Sequence, residues 1–306
     1  MAVSRIGSTH EHFVTTTRGL RREIPPMVLY EKAKRLGIWN PADIDFSQDA
    51  EDWKKLTDDQ RSYILFLTSQ FQAGEEAVTL DLLPLINVIA REGRIEEELF
   101  LTTFLWEEGK HVDFFQRFLG AIGVGTADLR SYQTPAYEKV FYEILPERLH
   151  SLHDDPSPAN MVRASTTYNL AVEGIMAESG YNTYFTIIDG HKILPGARKG
   201  ISLIKLDESR HIAYGIFLIS RLIAENPGLF SIVEEVMAEM LEYAKDITEQ
   251  SYGQFPDNPF GYPPSVFIEY TVLQYTKRMA RISKARGQSL DEIYKDTRKV
   301  IEDEDS

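Results

Sequence analysis

The sequence contains no cysteine among its 306 residues. Disulfide bonds, thiolate zinc sites and cysteine-held iron–sulfur clusters are therefore excluded, and any bound metal must be held by oxygen and nitrogen. No uninterrupted apolar run approaches the ~20 residues that a transmembrane helix needs, so we expect no membrane span. The N-terminal residues also lack the apolar core of a signal peptide, which predicts a cytoplasmic protein.

Positive charge is also scarce, because 33 Lys and Arg face 47 Asp and Glu, for a formal net charge of −14. Binding to nucleic acid needs a basic face that meets the phosphates, so this balance argues against a nucleic-acid partner. Most of the acids are expected to form a solvated surface, and some are candidates for metal ligands. The apolar fraction of 43% is ordinary for a soluble globular protein.

Apolar residues recur with a helical period, and no segment shows the alternation of a strand. The sequence therefore predicts an all-α protein with one helical domain over 25–302. Residues 1–24 are predicted to form an arm, and residues 303–306 a frayed acidic tail.

Several residues mark where the predicted helices begin and end. Thr57 and Gln60 have the spacing of a capping box, so a long helix should begin there and run through Leu82 with a kink at Pro84. Ser157 is predicted to cap another helix, and residues 39–47 to form an extended connection. Further helices are predicted from Pro25 to Gly37, from Gly93 to Gly123, over about 135–149, from Pro195 to Asn226, and over about 228–252, 264–285 and 288–301.

One pattern occurs twice, about 100 residues apart. Glu75 precedes Glu108-x-x-His111, and Glu173 precedes Glu208-x-x-His211. A Glu three residues before a His on a helix places both side chains on one face. The apolar residues around the two motifs also align position for position, which indicates an internal repeat.

Four carboxylates and two imidazoles on four helices are a ligand set for two metal ions in a helical bundle. A charged Glu within the core stripe of a helix is unfavourable unless it is paired or bound to metal. Two divalent ions would balance four carboxylates, and a mixed Glu and His set suits iron and manganese. The predicted ligands are Glu75, Glu108, His111, Glu173, Glu208 and His211.

Other residues compete for these roles. Glu76 is rotated by about 100° from Glu75 around the helix, which places it off the apolar face. Glu178 lies five residues after Glu173, and the matching intervals favour Glu173. Glu147-x-x-His150 has no counterpart in the other half and is interpreted as a solvated helix end. Asp207, which like Arg210 flanks the second motif, is either an acceptor for a ligating His or a surface charge.

The six predicted ligands resemble those of the ferritin-like ribonucleotide reductase small-subunit superfamily, over about residues 25–285. Trp39 and Asp207 resemble that superfamily's Trp–Asp–His hydrogen-bond chain, which would end here on His111. Finer motifs are similar to the ribonucleotide-reductase-small-subunit-like ligand-binding oxidases. These motifs are Gly74-Glu-Glu-Ala-Val78-Thr-Leu-Asp81, Tyr168-Asn-x-x-x-Glu173-Gly and Ala177-Glu-Ser-Gly-Tyr181.

This second resemblance implies a ferritin-like bundle with one manganese and one iron ion, and O2 as the oxidant. Glu75, Glu108 and His111 would serve manganese, and Glu173, Glu208 and His211 would serve iron, with Glu108 bridging. A long-chain fatty acid would bind with its carboxylate at the metals.

The resemblance also implies an ether cross-link between Val78 and Tyr168, with Tyr181 near the centre, and two-electron oxidation of a hydrophobic substrate. A homodimer is implied by the family alone. The residues do not indicate the physiological substrate or the electron donor.

Two other functions remain open at this stage. The first is a radical-generating small subunit, although Phe115 stands where a typical member has its radical tyrosine, and the last twelve residues contain no Tyr for docking on a large subunit. The second is a metal-storage or purely lipid-binding helical protein, for which storage predicts many irons per chain.

Overall fold

The computed structural model describes residues 12–303, and every regular element in that range is helical. The α-helices are α1 Val14–Thr17, α2 Pro25–Leu36, α3 Ser47–Lys55, α4 Asp58–Asp81, α5 Leu83–Arg91, α6 Ile95–Ala121, α7 Pro135–Glu138, α8 Leu145–His150, α9 Pro158–Ser165, α10 Glu178–His191, α11 Pro195–Glu225, α12 Phe230–Gln254, α13 Pro264–Ser283 and α14 Leu290–Asp303. Two π-helical segments, Lys139–Ile144 and Thr166–Ala177, join α7 to α8 and α9 to α10. Short 3-10 turns cover Pro41–Asp43, Arg130–Tyr132, Ser151–His153, Pro227–Leu229 and Lys284–Gly287.

The all-helical prediction is confirmed over these residues. None of the helices between residues 12 and 303 is long and apolar enough to cross a membrane. Of the predicted N-terminal arm, residues 1–11 lie outside the described residues. Of the predicted acidic tail, residues 304–306 lie outside them, and Asp303 is the last residue of α14.

The capping signals in the sequence work as predicted. The Thr57 hydroxyl accepts a hydrogen bond from the Gln60 amide at 3.2 Å, and the Gln60 side chain accepts from the Thr57 amide at 3.1 Å. This reciprocal pair satisfies two of the unpaired amides at the start of α4. Ser157 likewise accepts from the Asn160 amide at 3.3 Å.

Two local predictions are wrong in part. The connection over 39–47 contains the Pro41–Asp43 turn, because the Asn40 side chain accepts from the Ala42 amide and Pro41 fixes the backbone φ. At Pro84 the chain breaks between two helices instead of bending one. Pro84 occupies the first turn of α5, where a missing N–H leaves no hydrogen bond unmade.

The helix that carries Glu173 is π-helical over Thr166–Ala177, which the sequence does not predict. A π-helix bonds residue i to i+5, so residues five apart come close to the same face. In a regular α-helix, Tyr168 and Glu173 would point in directions well over 90° apart. The π segment therefore lets both side chains face one site.

Between residues 12 and 303, the core consists of two apolar clusters with the predicted ligands between them. One cluster includes Val78, Phe104 and Tyr168, and the other includes Phe71 and Tyr181. Helix α4 packs on α6, and α11 packs on the π segment, so the elements that carry the predicted ligands pack against one another.

The approach of α11 to the π segment depends on Gly215. A Cβ at this position would lie 2.1 Å from the Asn169 Cβ, and Asn169 is fully buried. We expect Gly215→Ala to lower the free energy of unfolding by about 1–3 kcal/mol, because a packed core cannot absorb an added methyl group. Urea unfolding measures the effect. Gly120→Ala, on the exposed face of α6 with open space around it, is the control. Equal stability of the Gly215 variant and the parent would contradict the packing argument.

The segment before α2 is tied to α6 by Glu96, whose side chain is fully buried. Arg18 Nη1 donates to Glu96 Oε1 at 2.7 Å, and the Arg21 amide donates to the same oxygen at 3.1 Å. Burial raises the pKa of Glu96, but these hydrogen bonds outweigh it and lower the pKa to about 2.

This depressed pKa has a consequence for acid stability. The stabilisation is fully present above the ordinary Glu pKa of 4.5 and is lost as the pH falls through about 2. We therefore expect Glu96→Gln to cost on the order of 1–3 kcal/mol at neutral pH, and less at pH 3. Urea unfolding at a series of pH values measures the difference from the parent. A difference that does not depend on pH would argue against the ion pair as its source.

Candidate metal centre

The structure brings the six predicted ligands together at one buried site. Glu75 comes from α4, Glu108 and His111 from α6, Glu173 from the π segment, and Glu208 and His211 from α11. None of the six is more than 5% exposed.

Their donor atoms form two groups, within each of which all atoms lie within 4.8 Å of one another. One group is Glu75, Glu108, His111 and Glu208, and the other is Glu108, Glu173, Glu208 and His211. Glu108 and Glu208 belong to both groups, so either carboxylate is placed to span two ions.

Both imidazoles turn the same nitrogen towards the carboxylates. His111 Nδ1 lies 3.2 Å from Glu75 Oε2 and 3.4 Å from Glu208 Oε1. His211 Nδ1 lies 3.2 Å from Glu108 Oε1 and 3.8 Å from Glu173 Oε1. The two rings are 6.0 Å apart, centroid to centroid.

Several atoms of this cluster are buried without a hydrogen-bond partner, namely Glu108 Oε2, Glu173 Oε1, Glu208 Oε2 and His211 Nδ1. A buried carboxylate oxygen without a partner is strongly unfavourable, which indicates that a cation completes the site. Oxygen and imidazole nitrogen donors without thiolate suit manganese and iron. The residues present therefore fit a pair of divalent ions.

The pKa shifts of the inner carboxyl groups also indicate that cations complete the site. Burial raises the pKa of Glu75 to about 8, against the opposing effect of His111. Burial also raises the pKa of Glu173 well above its usual value. Glu108 is equally buried, but the imidazoles of His111 and His211 beside it hold its pKa below the usual range. Cations would replace the protons that such a cluster otherwise holds.

A second layer of charged residues holds the outer nitrogen of each imidazole. His111 Nε2 lies 3.3 Å from Asp207 Oδ2, which also accepts from Trp39 Nε1 at 2.8 Å. His211 Nε2 lies 2.9 Å from Glu107 Oε2. Each acid directly precedes the motif Glu of one repeat and contacts the His of the other, so the pairs cross between α6 and α11.

Two cations complete this layer. Lys110 Nζ donates to Asp207 Oδ2 at 2.9 Å, and Arg210 donates to Glu107 at 2.6 Å and to Asp207 at 2.5 Å. Two acids and two bases leave the layer neutral, so it supplies no charge to offset the four inner carboxylates.

Comparison with known proteins agrees with this geometry. The family described as "Ribonucleotide reductase, small chain" matches residues 27–276. An R2-like ligand-binding oxidase with an aerobically reconstituted Mn/Fe cofactor is 39% identical, covers 89% of this chain and 98% of its own, and superposes with a TM-score of 0.83. A single-substitution variant with the same kind of cofactor is also 39% identical, covers 89% and 99%, and has a TM-score of 0.86.

The chain belongs to the ribonucleotide reductase small-chain family, within its R2-like ligand-binding oxidases. The resemblance stated from the motifs is therefore confirmed, as is the ferritin-like fold. The family also makes this protein an oxidoreductase with a dinuclear metal site.

Three further predicted residues lie around the centre of this family member. Tyr168 donates its hydroxyl hydrogen to Glu108 Oε1 at 2.9 Å, and the Tyr181 hydroxyl lies 3.5 Å from Glu208 Oε1. Val78 is 5% exposed and, with Glu75, lines a cavity that reaches the inner carboxylates.

The residues that compete with the predicted metal ligands lie elsewhere. Glu76 is exposed, and Glu178 accepts a hydrogen bond from Tyr270 at 3.1 Å. His150 is half exposed and lies 2.9 Å from Asp81, outside both donor groups.

Sequence reasoning missed Glu107, Lys110 and Asn169. Glu107 occupies in the first repeat the position of Asp207 in the second, so the repeat could have revealed it. Lys110 could have been found in the same way from Arg210. Asn169, which donates to Glu173 Oε2 at 3.0 Å, has no such counterpart.

Replacing Glu107 tests the second layer. We expect Glu107→Gln to weaken binding of the ion beside His211 by about 10–100-fold, because the imidazole and Arg210 lose a charged partner. Competition with a chelator measures the affinity. Glu76→Gln, an exposed neighbour of a predicted ligand, is the matched control and should leave affinity unchanged. An unchanged affinity in the Glu107 variant would show that this carboxylate does not support His211.

Proposed function

We propose that this protein binds one manganese and one iron ion and uses O2 to carry out a two-electron oxidation of a hydrophobic substrate. The main support is the buried set of four carboxylates and two imidazoles, whose charge two divalent ions would balance. The Mn/Fe cofactor named for the similar structures supports the choice of metals. Bound together, the two ions supply the redox chemistry that activates O2.

In this proposal Glu75, Glu108 and His111 would hold manganese, and Glu173, Glu208 and His211 would hold iron, with Glu108 shared between the two ions. Glu208 belongs to both donor groups as well, so it is positioned as a second bridge. The second layer fixes both rings, because each outer nitrogen faces a carboxylate.

We further propose that a long-chain fatty acid occupies the cavity, with its carboxylate at the metals. The cavity reaches the inner carboxylates, and its walls are mostly apolar. Both Glu75 and Tyr63 line it, and their separation of twelve positions along α4 corresponds to about 18 Å. An extended alkyl chain fits that length, and Phe66, Phe141 and Ile247 provide apolar contacts along it.

The protein's own residues would also be oxidised. The proposed ether forms between the Val78 Cβ and the Tyr168 oxygen. A C–H and an O–H bond break and a C–O bond forms, so two electrons and two protons leave. Together with one electron from each divalent ion and two protons from solvent, they reduce O2 to two water molecules. The phenol proton leaves along its hydrogen bond to Glu108 Oε1.

Metal counting and mass spectrometry test the proposal. Protein loaded with Mn(II) and Fe(II) and then exposed to air should hold two ions per chain and lose two hydrogens. A peptide that joins Val78 to Tyr168 should appear because the cross-link withstands digestion. Tyr168→Phe should hold the metals and lack this peptide.

Tyr184→Phe is the matched control, because Tyr184 is a buried tyrosine that bonds to Thr68 away from the predicted ligands. It should form the peptide like the parent. Absence of the joined peptide from fully loaded parent protein would refute the cross-link. Many irons per chain would favour storage instead.

A further inference from the structure

The core holds a second buried polar cluster, which the proposed function does not use. The Tyr214 hydroxyl donates to Glu97 Oε2 at 3.1 Å. Arg221 Nε and Arg94 Nη1 lie 3.6 Å and 3.4 Å from the other oxygen of Glu97. Tyr214, Glu97 and Arg221 are each at most 3% exposed.

An aromatic path links this cluster to the metal centre. The Phe104 ring stacks on His211 with a centroid distance of 3.6 Å and an interplanar angle of 8°. Phe100 lies 6.0 Å from Phe104 and 5.2 Å from Tyr214. Tyr214 also follows His211 by three residues on α11, which is about one helical turn. Electron transfer between Tyr214 and the centre therefore needs to cross only a short, densely packed region.

Tyr214 differs from the other fully buried tyrosines between residues 12 and 303 in what its hydroxyl contacts. Tyr168 and Tyr181 face Glu108 and Glu208, whose oxygens are proposed metal donors. The hydroxyls of Tyr137 and Tyr184 bond to the Gln70 carbonyl and to Thr68, which are not bases. Within this part of the chain, only Tyr214 combines full burial with a hydrogen bond to a carboxylate outside the metal donors.

We propose that Tyr214 is a redox-active residue that gives one electron to the oxidised metal centre and its phenolic proton to Glu97. The inference rests on the proposed function, because O2 reacting at the metals supplies the oxidant. The O–H bond of Tyr214 breaks, the phenol is oxidised to a neutral phenoxyl radical, and the centre is reduced by one electron. Glu97 becomes a neutral carboxylic acid. Tyr214 thereby removes oxidising equivalents that neither the cross-link nor a substrate has consumed.

The surroundings of Tyr214 favour loss of its electron and its proton in one coupled step. Burial raises the pKa of Tyr214 well above its usual value, so the phenol does not ionise before it is oxidised. Burial also raises the pKa of Glu97, against Arg221 and Arg94, which makes its protonated form accessible. Arg221 keeps Glu92 and Glu225 as partners at 3.2 Å and 3.8 Å when Glu97 is neutral.

The experiment uses full-length protein carrying Tyr168→Phe, so that the cross-link cannot consume the oxidant. Protein loaded with Mn(II) and Fe(II) is mixed with O2, frozen at intervals and examined by electron paramagnetic resonance. We expect a tyrosyl radical whose spectrum narrows when the protein contains ring-deuterated tyrosine. Adding Tyr214→Phe should abolish most of this signal, and adding Glu97→Gln should slow its formation. Adding Tyr184→Phe, the matched control, should leave it unchanged.

Metal content and circular dichroism of each variant show whether it is folded and loaded. If Tyr214→Phe misfolds, the rate of radical formation in Glu97→Gln decides. A signal that persists in loaded Tyr214→Phe, a rate unchanged by Glu97→Gln, or no tyrosyl signal at all would overturn the inference.

The proposed function has its own readouts, which are two ions per chain and the Val78–Tyr168 peptide in protein with Tyr168 intact. If those are found and the radical result is negative, only the role of Tyr214 fails. If they are absent, both proposals fail.

Discussion

Four glutamates confined to one buried site impose the constraint on which the rest of this structure depends. Their charges cannot remain buried together without compensation, because desolvation is far more costly than mutual repulsion in water. Two imidazoles do not suffice, since burial still raises the pKa of Glu75 and Glu173. Two divalent cations would balance the charge and provide partners for the unpartnered oxygens. The helices around the site are arranged so that the six donors meet.

The second layer explains how those donors are held in place. Glu107 and Asp207 each contact the imidazole of the opposite repeat, while Arg210 and Lys110 neutralise them. Because this layer is neutral, it orients the imidazole rings without offsetting the negative charge of the four inner carboxylates. The crossed contacts also join α6 to α11, so the stability of the bundle and the geometry of the centre depend on the same residues.

The π segment and the cavity are features that metal binding alone would not require. The wider turn brings Tyr168 and Glu173 towards one site, and Gly215 allows α11 to approach the fully buried Asn169 behind them. The cavity then brings an apolar volume up to the inner carboxylates. In the proposed oxidation the hydrogen-bond partners of the buried phenols become decisive, and between residues 12 and 303 Tyr214 with Glu97 is the pair proposed to separate an electron from a proton outside the metal donors.

The sequence by itself determined the helical class, most helix boundaries and the six clustered donors. Helical periodicity and the spacing of Glu and His depend on local geometry, which the order of neighbouring residues determines directly. The break at Leu82 and the turn at Pro41–Asp43 were less accessible, because proline restricts the backbone without specifying how neighbouring helices resume.

Only the tertiary structure decided which carboxylates belong to both donor groups, and that Glu107 and Lys110 complete the second layer. These contacts join residues about 100 positions apart in the chain, and their distances depend on how α6 and α11 pack. The π turn around Glu173 was also visible only in the structure, since helical periodicity in the sequence does not separate a π turn from an α turn. The chain thus encodes the donors locally, whereas packing between the repeats sets their geometry.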